Sequence, residues 1–204
     1  MRNSYNGSTL AFQAGGRGPI PLTRSINFMN ILYFSIAILA CYFFIVFVGL
    51  RLVVPFMGFG KFQPVFEFFP EIQAQIAEME KLSSDQKTYL QAVYNFILDK
   101  NKKQWNHTRG QAALKLNRLF VKNLSEIWHT KKFVYCTGIN FVVYALLTGS
   151  KYFKPEDIRA RHVFVNMVIH QYLQVKIAGE WIDVDPAGIG IRGKALGEHL
   201  SFFG

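Results

Sequence analysis

The sequence predicts an α+β domain in which helices pack on a small antiparallel sheet, preceded by one transmembrane helix. Three observations support this prediction. Residues 31–50 form a run of twenty residues without a charged side chain. Apolar residues then recur at helical spacing between residues 70 and 149, and they alternate with polar residues from 162 to 186. With 204 residues, the chain has room for one compact domain plus an appendage, which excludes a large multidomain enzyme.

The pattern divides the chain into four parts. Residues 1–27 are rich in Gly, Ser, Asn and Pro, a composition that offers little to bury, and we expect a flexible N-terminal tail. Residues 28–51 are the predicted transmembrane helix. Residues 52–70 contain three prolines and six phenylalanines and are interpreted as an aromatic juxtamembrane linker. Residues 71–204 form the predicted domain.

The apolar run from Ile31 to Leu50 has the length that a membrane requires. At 1.5 Å per residue it matches a hydrocarbon core of about 30 Å. It is longer than the apolar part of a typical signal peptide, and no small-residue cleavage pattern follows it. We therefore expect an uncleaved single-pass anchor, the alternative being a buried core helix.

The orientation of this anchor depends on a nearly even charge count. Arg17 and Arg24 precede the run, and Arg51 and Lys61 follow it. Because long segments are translocated largely regardless of charge, we expect the domain to be extracytoplasmic, in a periplasm or at a cell surface.

Four helices are predicted after the linker. The first begins at Pro70, the second runs from Asp85 to Lys100, and the third from Thr108 to Trp128. The fourth is strongly apolar, begins at Cys136 and ends near Gly149.

The chain carries a formal net charge of +10, and much of the excess lies in one segment. Nine basic residues and one acid lie between Lys100 and Lys132. This pattern is typical either of a surface for nucleic acid or lipid headgroups or of a solvated helix face. No nucleic-acid motif accompanies the charges, so we do not expect a nucleic-acid partner.

Alternation from residue 162 to 186 predicts strands joined by a turn at Ala178 and Gly179. A strand over His162–Ile177 would exceed 50 Å at about 3.3 Å per residue, so we expect a bend near Asn166. With the turn centred on residues 178 and 179, Leu173 faces Val184 and Val175 faces Ile182. The predicted core face consists of Leu173, Val175, Ile177, Ile182 and Val184. The predicted polar face consists of His170, Tyr172, Gln174, Trp181, Asp183 and Asp185.

Three residues in this pattern can form an activated nucleophile. Cys136 begins a helix, where unpaired N–H groups stabilise a thiolate. In the predicted register Asp185 is diagonal to His170, with about 7 Å between the two backbones, whereas Asp183 is one pair further. A thiol, an imidazole and a carboxylate in this order provide a nucleophile, a base and an orienting acid.

The order of these motifs resembles the transglutaminase-like branch of the papain-like cysteine hydrolase superfamily. The resemblance rests on Cys136 opening CTGINFVVYALL, His170 opening HQYLQVKIAGEW and Asp185 in WIDVDPAG. It implies a papain-like fold with a Cys136–His170–Asp185 triad. The Cys136 N–H and the side chains of Gln104 or Trp105 are candidate donors to an oxyanion.

Two functions follow as hypotheses. The first is a membrane-anchored cysteine hydrolase or acyltransferase, of the peptidase, amidase or transglutaminase type, that acts on protein or peptide amides. The second is a non-catalytic structural or interaction subunit that associates with other subunits of a membrane complex.

Neither function requires a cofactor, and none is predicted. A metal site is not predicted either, because the remaining histidines lack ligand spacing. The chain has two cysteines, one of them inside the apolar run, so no disulfide framework is predicted.

Overall fold

The computed structural model describes residues 28–57, 67–105, 115–131, 133–165, 168–187 and 195–200. It confirms the α+β class: helices combine with a small antiparallel sheet, and one apolar helix precedes them. The chain forms two compact units, Met1–Ala40 and Cys41–Gly204.

The N-terminal helix is long and apolar enough to cross a membrane. Helix α1, Phe28–Phe44, continues through a π-helical turn, Ile45–Gly49, into a last α-helical turn, Leu50–Val53. The whole run has 26 residues, and its most apolar window has a mean hydropathy of 2.7 and is only 6% buried. Phe28 and Phe34 are 74% and 69% exposed. A helix of this composition, exposed to this degree, lacks the protein cover of a core helix.

Helices α2, Pro70–Leu82, and α3, Gln86–Lys103, follow the predicted pattern. Pro70 occupies the first turn of α2, where its missing N–H costs nothing. Asp85 begins α3 with a reciprocal capping box: its side chain accepts from the Thr88 N–H, and the Thr88 hydroxyl oxygen accepts from the Asp85 N–H.

The single helix predicted over Thr108–Trp128 is wrong for the residues described. Residues 106–114 lie outside them. Leu116–Phe120 form a short 3₁₀ helix, the chain is extended at Val121, and helix α4 occupies only Leu124–His129. The Asn123 side chain caps α4 by accepting from the Glu126 N–H at 3.2 Å. An asparagine side chain can cap the free N–H groups at a helix start, and it is less favourable inside a helix. The helical spacing of the apolar residues was therefore misleading here.

Helix α5, Cys136–Thr148, is the centre of the domain. Eleven of its residues are buried. Eight of these, Ile139 and residues 141–147, pack in one hydrophobic core with the inner sides of α2, α3 and α4 and with Leu173, Val175 and Val184 of the sheet. Gly138 lies close to Val134 near the start of α5: an added Cβ would lie 2.9 Å from Val134 Cγ1, so one of the two would have to shift.

The sheet has three antiparallel strands in sequential order: β1, Ile158–Val165; β2, Val168–Ile177; and β3, Glu180–Val184. Strands β2 and β3 pair with Leu173 opposite Val184 and Val175 opposite Ile182, which confirms the predicted register. The long predicted strand is two strands, since β1 ends at Val165 and β2 begins at Val168. The bend predicted near Asn166 lies outside the described residues.

Candidate active site

Cys136 is the first residue of α5. Tyr135 before it is extended, and the Tyr135 carbonyl accepts the first helical hydrogen bond, from the Ile139 N–H at 3.0 Å. Cys136 is half-buried and not in a disulfide. Its position at the positive end of a thirteen-residue helix favours the thiolate form. The other cysteine, Cys41, is exposed on the apolar helix.

His170 and Asp185 form a close pair. His170 Nε2 lies 2.9 Å from Asp185 Oδ1 and 2.8 Å from Asp185 Oδ2. Asp185 follows directly after the last residue of β3, and its turn towards His170 is the diagonal contact that the strand register predicted. The competing carboxylate, Asp183, instead lies 2.7 Å from His199 Nδ1. The prediction that Asp185 is the partner of His170 is therefore confirmed.

Asp185 is fully buried. The Leu200 N–H donates a hydrogen bond to Asp185 Oδ2 at 3.1 Å, so segment 195–200 supplies a main-chain donor to this carboxylate. Tyr94 of α3 is also near: burial, followed by the charges of Asp185 and Glu198, raises the pKa of the Tyr94 phenol. A buried carboxylate with fixed donors is held rigidly, which is what an orienting acid requires.

Cys136 and His170 interact, and each favours the charged form of the other. Burial raises the pKa of the Cys136 thiol, but the hydrogen bond and charge of His170 outweigh it and leave that pKa lowered. Burial lowers the pKa of His170, but its hydrogen bonds to Asp185 and Cys136 outweigh that effect and raise the pKa. Both shifts favour a thiolate–imidazolium pair at neutral pH. Because Asp185 holds Nε2, the nitrogen left for the thiol is Nδ1.

Gln171 follows His170 and is fully buried behind it. Its main-chain N–H also lowers the pKa of the Cys136 thiol. Its main-chain oxygen accepts from Asn140 Nδ2 at 2.8 Å, and its side-chain Nε2 donates to the Phe56 carbonyl at 2.6 Å. Asn140 lies one helical turn after Cys136. One residue of β2 thus acts on the thiol and contacts both the helix of the thiol and the segment that follows the apolar helix.

Phe56 brings this segment onto the core. Its ring stacks on Phe141 of α5 with centroids 3.7 Å apart and planes 11° apart. Its φ of +62° is unusual for a residue with a side chain. Val54 and Met57 on either side are 3% and 4% exposed, and they form a second apolar cluster with Val46 and Ile169. Residues 54–57 are therefore part of the packed domain.

His162 is a neutral neighbour of the site. Its Nε2 is 3.4 Å from Gln171 Nε2, across the β1–β2 ladder. Burial, the charge of Arg51 and the charge of His170 lower the pKa of His162 to about 4. It adds no positive charge next to His170 at neutral pH.

The candidate oxyanion donors Gln104 and Trp105 are engaged elsewhere. Both hydrogens of the Gln104 amide are used, by the carbonyls of Trp128 at 2.8 Å and Thr130 at 3.0 Å. Trp105 is fully buried, and its indole N–H donates to the Ile127 carbonyl at 3.2 Å. Both side chains connect the end of α3 to α4, so this expectation is wrong. The Cys136 N–H keeps its position as a donor candidate at the helix start.

Sequence reasoning brought together Cys136, His170 and Asp185, and it missed Asn140, Gln171 and Phe56. Asn140 carried one signal, since it is a polar residue within the buried face of the most apolar helix of the domain. Gln171 carried another, because it interrupts the apolar face of β2. Phe56 carried none.

Among the described residues, no group of three His, Cys, Asp or Glu side chains could hold a metal ion. In comparisons with known proteins, neither a protein-family model nor a curated protein nor a solved structure matches this chain.

Proposed function

We propose that this chain is a membrane-anchored cysteine hydrolase or acyltransferase with a papain-like, transglutaminase-like domain, acting on protein or peptide amides. One observation carries the proposal: His170 hydrogen-bonds at 2.8–2.9 Å to a buried Asp185, and it also interacts with the Cys136 thiol, whose pKa it lowers. Packing alone does not demand this combination, because burying an acid and an imidazole costs free energy that apolar side chains would not cost.

The chemistry follows from the charge states. The Cys136 thiolate attacks the carbonyl carbon of an amide, and the carbonyl electrons move onto oxygen, near the positive end of α5. As the C–N bond breaks, the His170 imidazolium gives its proton to the leaving nitrogen, and a thioester remains. Water or an amine then attacks the thioester, His170 accepts its proton, and the C–S bond breaks to restore the thiolate. Asp185 orients the ring throughout and stabilises its charged form.

The first experiment measures the reactivity of the thiol. In the full chain in detergent micelles, with Cys41→Ala leaving a single thiol, iodoacetamide should alkylate Cys136 at pH 6 faster than a free thiol of pKa about 8.5. His170→Ala should slow this reaction, and His129→Ala, an exposed histidine elsewhere, should not. Far-ultraviolet circular dichroism establishes that each variant is folded. Equal, slow rates in all forms would contradict the enzyme proposal and favour the interaction-subunit hypothesis.

A second experiment separates the two reactions. Glutamine-containing peptides are incubated with the chain, with and without a primary amine, and ammonium release and amine incorporation are both measured. Hydrolysis gives ammonium without incorporation, whereas transfer gives both. Neither product should form with Cys136→Ala.

We also propose that the apolar helix Phe28–Val53 is a single-pass anchor with the domain on the extracytoplasmic side. The observations behind this are its length and exposure and the size of the segment that follows it. Carbonate should not extract the chain from membranes, and protease added to the outside of right-side-out vesicles should digest the domain. Protection of the domain would reverse the orientation.

A further inference from the structure

Two arginines lie on the sheet face that carries His170. Along β2, His170, Tyr172 and Gln174 alternate onto one face. On β1, Arg161 pairs with Tyr172 and Arg159 pairs with Gln174, so both arginines share this face. Arg161 is exposed and Arg159 partly exposed. Positive charge therefore lies beside the predicted reaction centre.

Gln174 holds the two guanidinium groups in place. Its Oε1 accepts from Arg159 Nε at 2.9 Å and from Arg161 Nε at 3.0 Å. Its Nε2 donates to Asp183 Oδ1 at 2.7 Å. Asp183 Oδ2 in turn lies 2.7 Å from His199 Nδ1, and the His199 ring stacks on Tyr172 with centroids 4.4 Å apart. This connected chain across the three strands orders two side chains that are otherwise among the most flexible, so a ligand pays less entropy to order them.

The same contacts leave the Nη groups available. Trp181 covers one face of the Arg159 guanidinium, with 3.8 Å between Cζ and the ring centroid. The Nε atoms are used by Gln174, and the Nη atoms of both arginines have no hydrogen-bond partner among the described residues. The Nη pair of a guanidinium matches the two oxygens of a carboxylate.

No carboxylate side chain of this chain neutralises the pair. All 13 acidic residues of the sequence fall within the described ranges, and none forms an ion pair with Arg159 or Arg161. The nearest acid on this face, Asp183, already accepts from Gln174 and faces His199, while Lys176 adds a further positive charge to the same face. The hydrogen bonds to one oxygen keep the two Nε atoms within about 6 Å of each other, where like charges repel.

We propose that Arg159 and Arg161 form a subsite for the carboxylate of an acidic side chain in a peptide substrate. That the ligand is a substrate rests on the function proposed above. The binding of a carboxylate to the two arginines does not. Arg161 faces Tyr172, two residues along β2 from His170, a distance of about 7 Å. An extended peptide rises about 3.3 Å per residue, so the acidic residue lies two or three positions from the reacting amide.

The test compares two peptides that differ in one charge. Both are capped and carry a central glutamine; one has glutamate two positions away, and its twin has glutamine there. Affinity is measured by isothermal titration to the full chain with Cys136→Ala in zwitterionic micelles, so the result does not depend on turnover. We expect the acidic peptide to bind about tenfold more tightly, the equivalent of one charge-assisted hydrogen-bonded pair. Rising salt should weaken this preference.

Matched variants locate the effect. Arg159→Gln with Arg161→Gln should abolish the preference, whereas Lys176→Gln, on the same face but outside the Gln174 contacts, should retain most of it. Gln174→Leu, which leaves both charges but removes their shared acceptor, should reduce it. Equal affinity for the two peptides, or a preference that survives the double substitution, would overturn the proposal. A third outcome is that the chain binds anionic vesicles through these arginines but binds the two peptides equally. This would assign the arginines to a lipid surface and would also overturn the proposal. Alkylation of Cys136 by iodoacetamide tests the catalytic proposal separately.

Discussion

Asn140 and Gln171 form a hydrogen bond that connects helix α5 to strand β2. Helix α5 carries the nucleophile, and β2 carries the histidine. Asn140 Nδ2 lies 2.8 Å from the Gln171 main-chain oxygen and 3.3 Å from its side-chain oxygen, and both residues are fully buried. Each stands next to the reaction centre, Asn140 one turn after Cys136 and Gln171 directly after His170. The separation of thiol and imidazole is thus fixed by a contact that neither group makes itself.

Asn140→Ala should therefore affect both stability and reactivity. It leaves buried oxygens of Gln171 without their donor, and we expect a loss of about 2 kcal/mol in the free energy of unfolding. It should also slow alkylation of Cys136 at pH 6, because α5 and β2 are no longer held together beside the thiol. Thr148→Ala is the control: it removes a hydrogen bond within α5 at the far end of the helix. Equal effects of the two substitutions on alkylation would contradict this role of Asn140.

The acid that orients His170 can be identified by a pair of matched substitutions. Asp185→Asn should lower turnover about a thousandfold or more, because the amide cannot stabilise the imidazolium or fix the ring in the same way. Asp183→Asn should lower it by less than about tenfold, because Asp183 contacts Gln174 and His199 and not His170. The measurement is kcat on a glutamine-containing peptide. A larger loss for Asp183→Asn would reverse the assignment.

His162 makes the folded state sensitive to acid. Its pKa is lowered from 6.5 to about 4, so between these values the unfolded chain binds a proton that the folded chain does not. Stability is then lost as the pH falls through this window, by up to about 3 kcal/mol for this group. His162→Gln should reduce the difference in thermal stability between pH 7 and pH 4.5. The matched control is His129→Gln, at a side chain 52% exposed, and an equal effect of the two substitutions would contradict this role of His162.

The turn between β2 and β3 contains a strained residue. Ala178 has a φ of +50° and Gly179 a φ of +92°, the combination that favours glycine or asparagine at both positions. Ala178→Gly should stabilise the domain by up to about 1 kcal/mol, since relief of the strain exceeds the added entropy of the unfolded chain. The same change in the exposed first half of α2, Ala74→Gly, should destabilise it by about 1 kcal/mol. Thermal unfolding should show changes in stability of opposite sign for the two variants. A loss of stability in Ala178→Gly would contradict the expectation.

Short-range patterns predicted part of this architecture well. The turn at Ala178 and Gly179 fixed the pairing of Leu173 with Val184, and that pairing placed Asp185 beside His170. Such inferences work because strand alternation and hairpin register are local properties of the chain. The start of α5 at Cys136 was also visible as a change in hydrophobic pattern.

Contacts between distant parts of the chain were not predictable in this way. Gln171 and Phe56 are 115 residues apart, and nothing in the pattern around Phe56 indicates a positive φ or a stacked partner. The helix predicted over Thr108–Trp128 failed for a different reason: apolar spacing persisted across a segment in which Asn123 begins a new helix. Periodicity reports which side chains are apolar and does not report where the backbone turns.

The hydrogen bond between Gln171 and the Phe56 carbonyl has a practical consequence for producing the domain by itself. A soluble fragment that began at Pro70, the start of α2, would lack Phe56, so Gln171 would lose a buried acceptor and Phe141 its stacked ring. Val54 and Met57 would be lost with it, which would expose Ile169 next to His170. A fragment that begins within residues 45–53, in the last turns of the apolar helix, keeps these contacts. A fragment cut later would have an altered site for reasons unrelated to its chemistry.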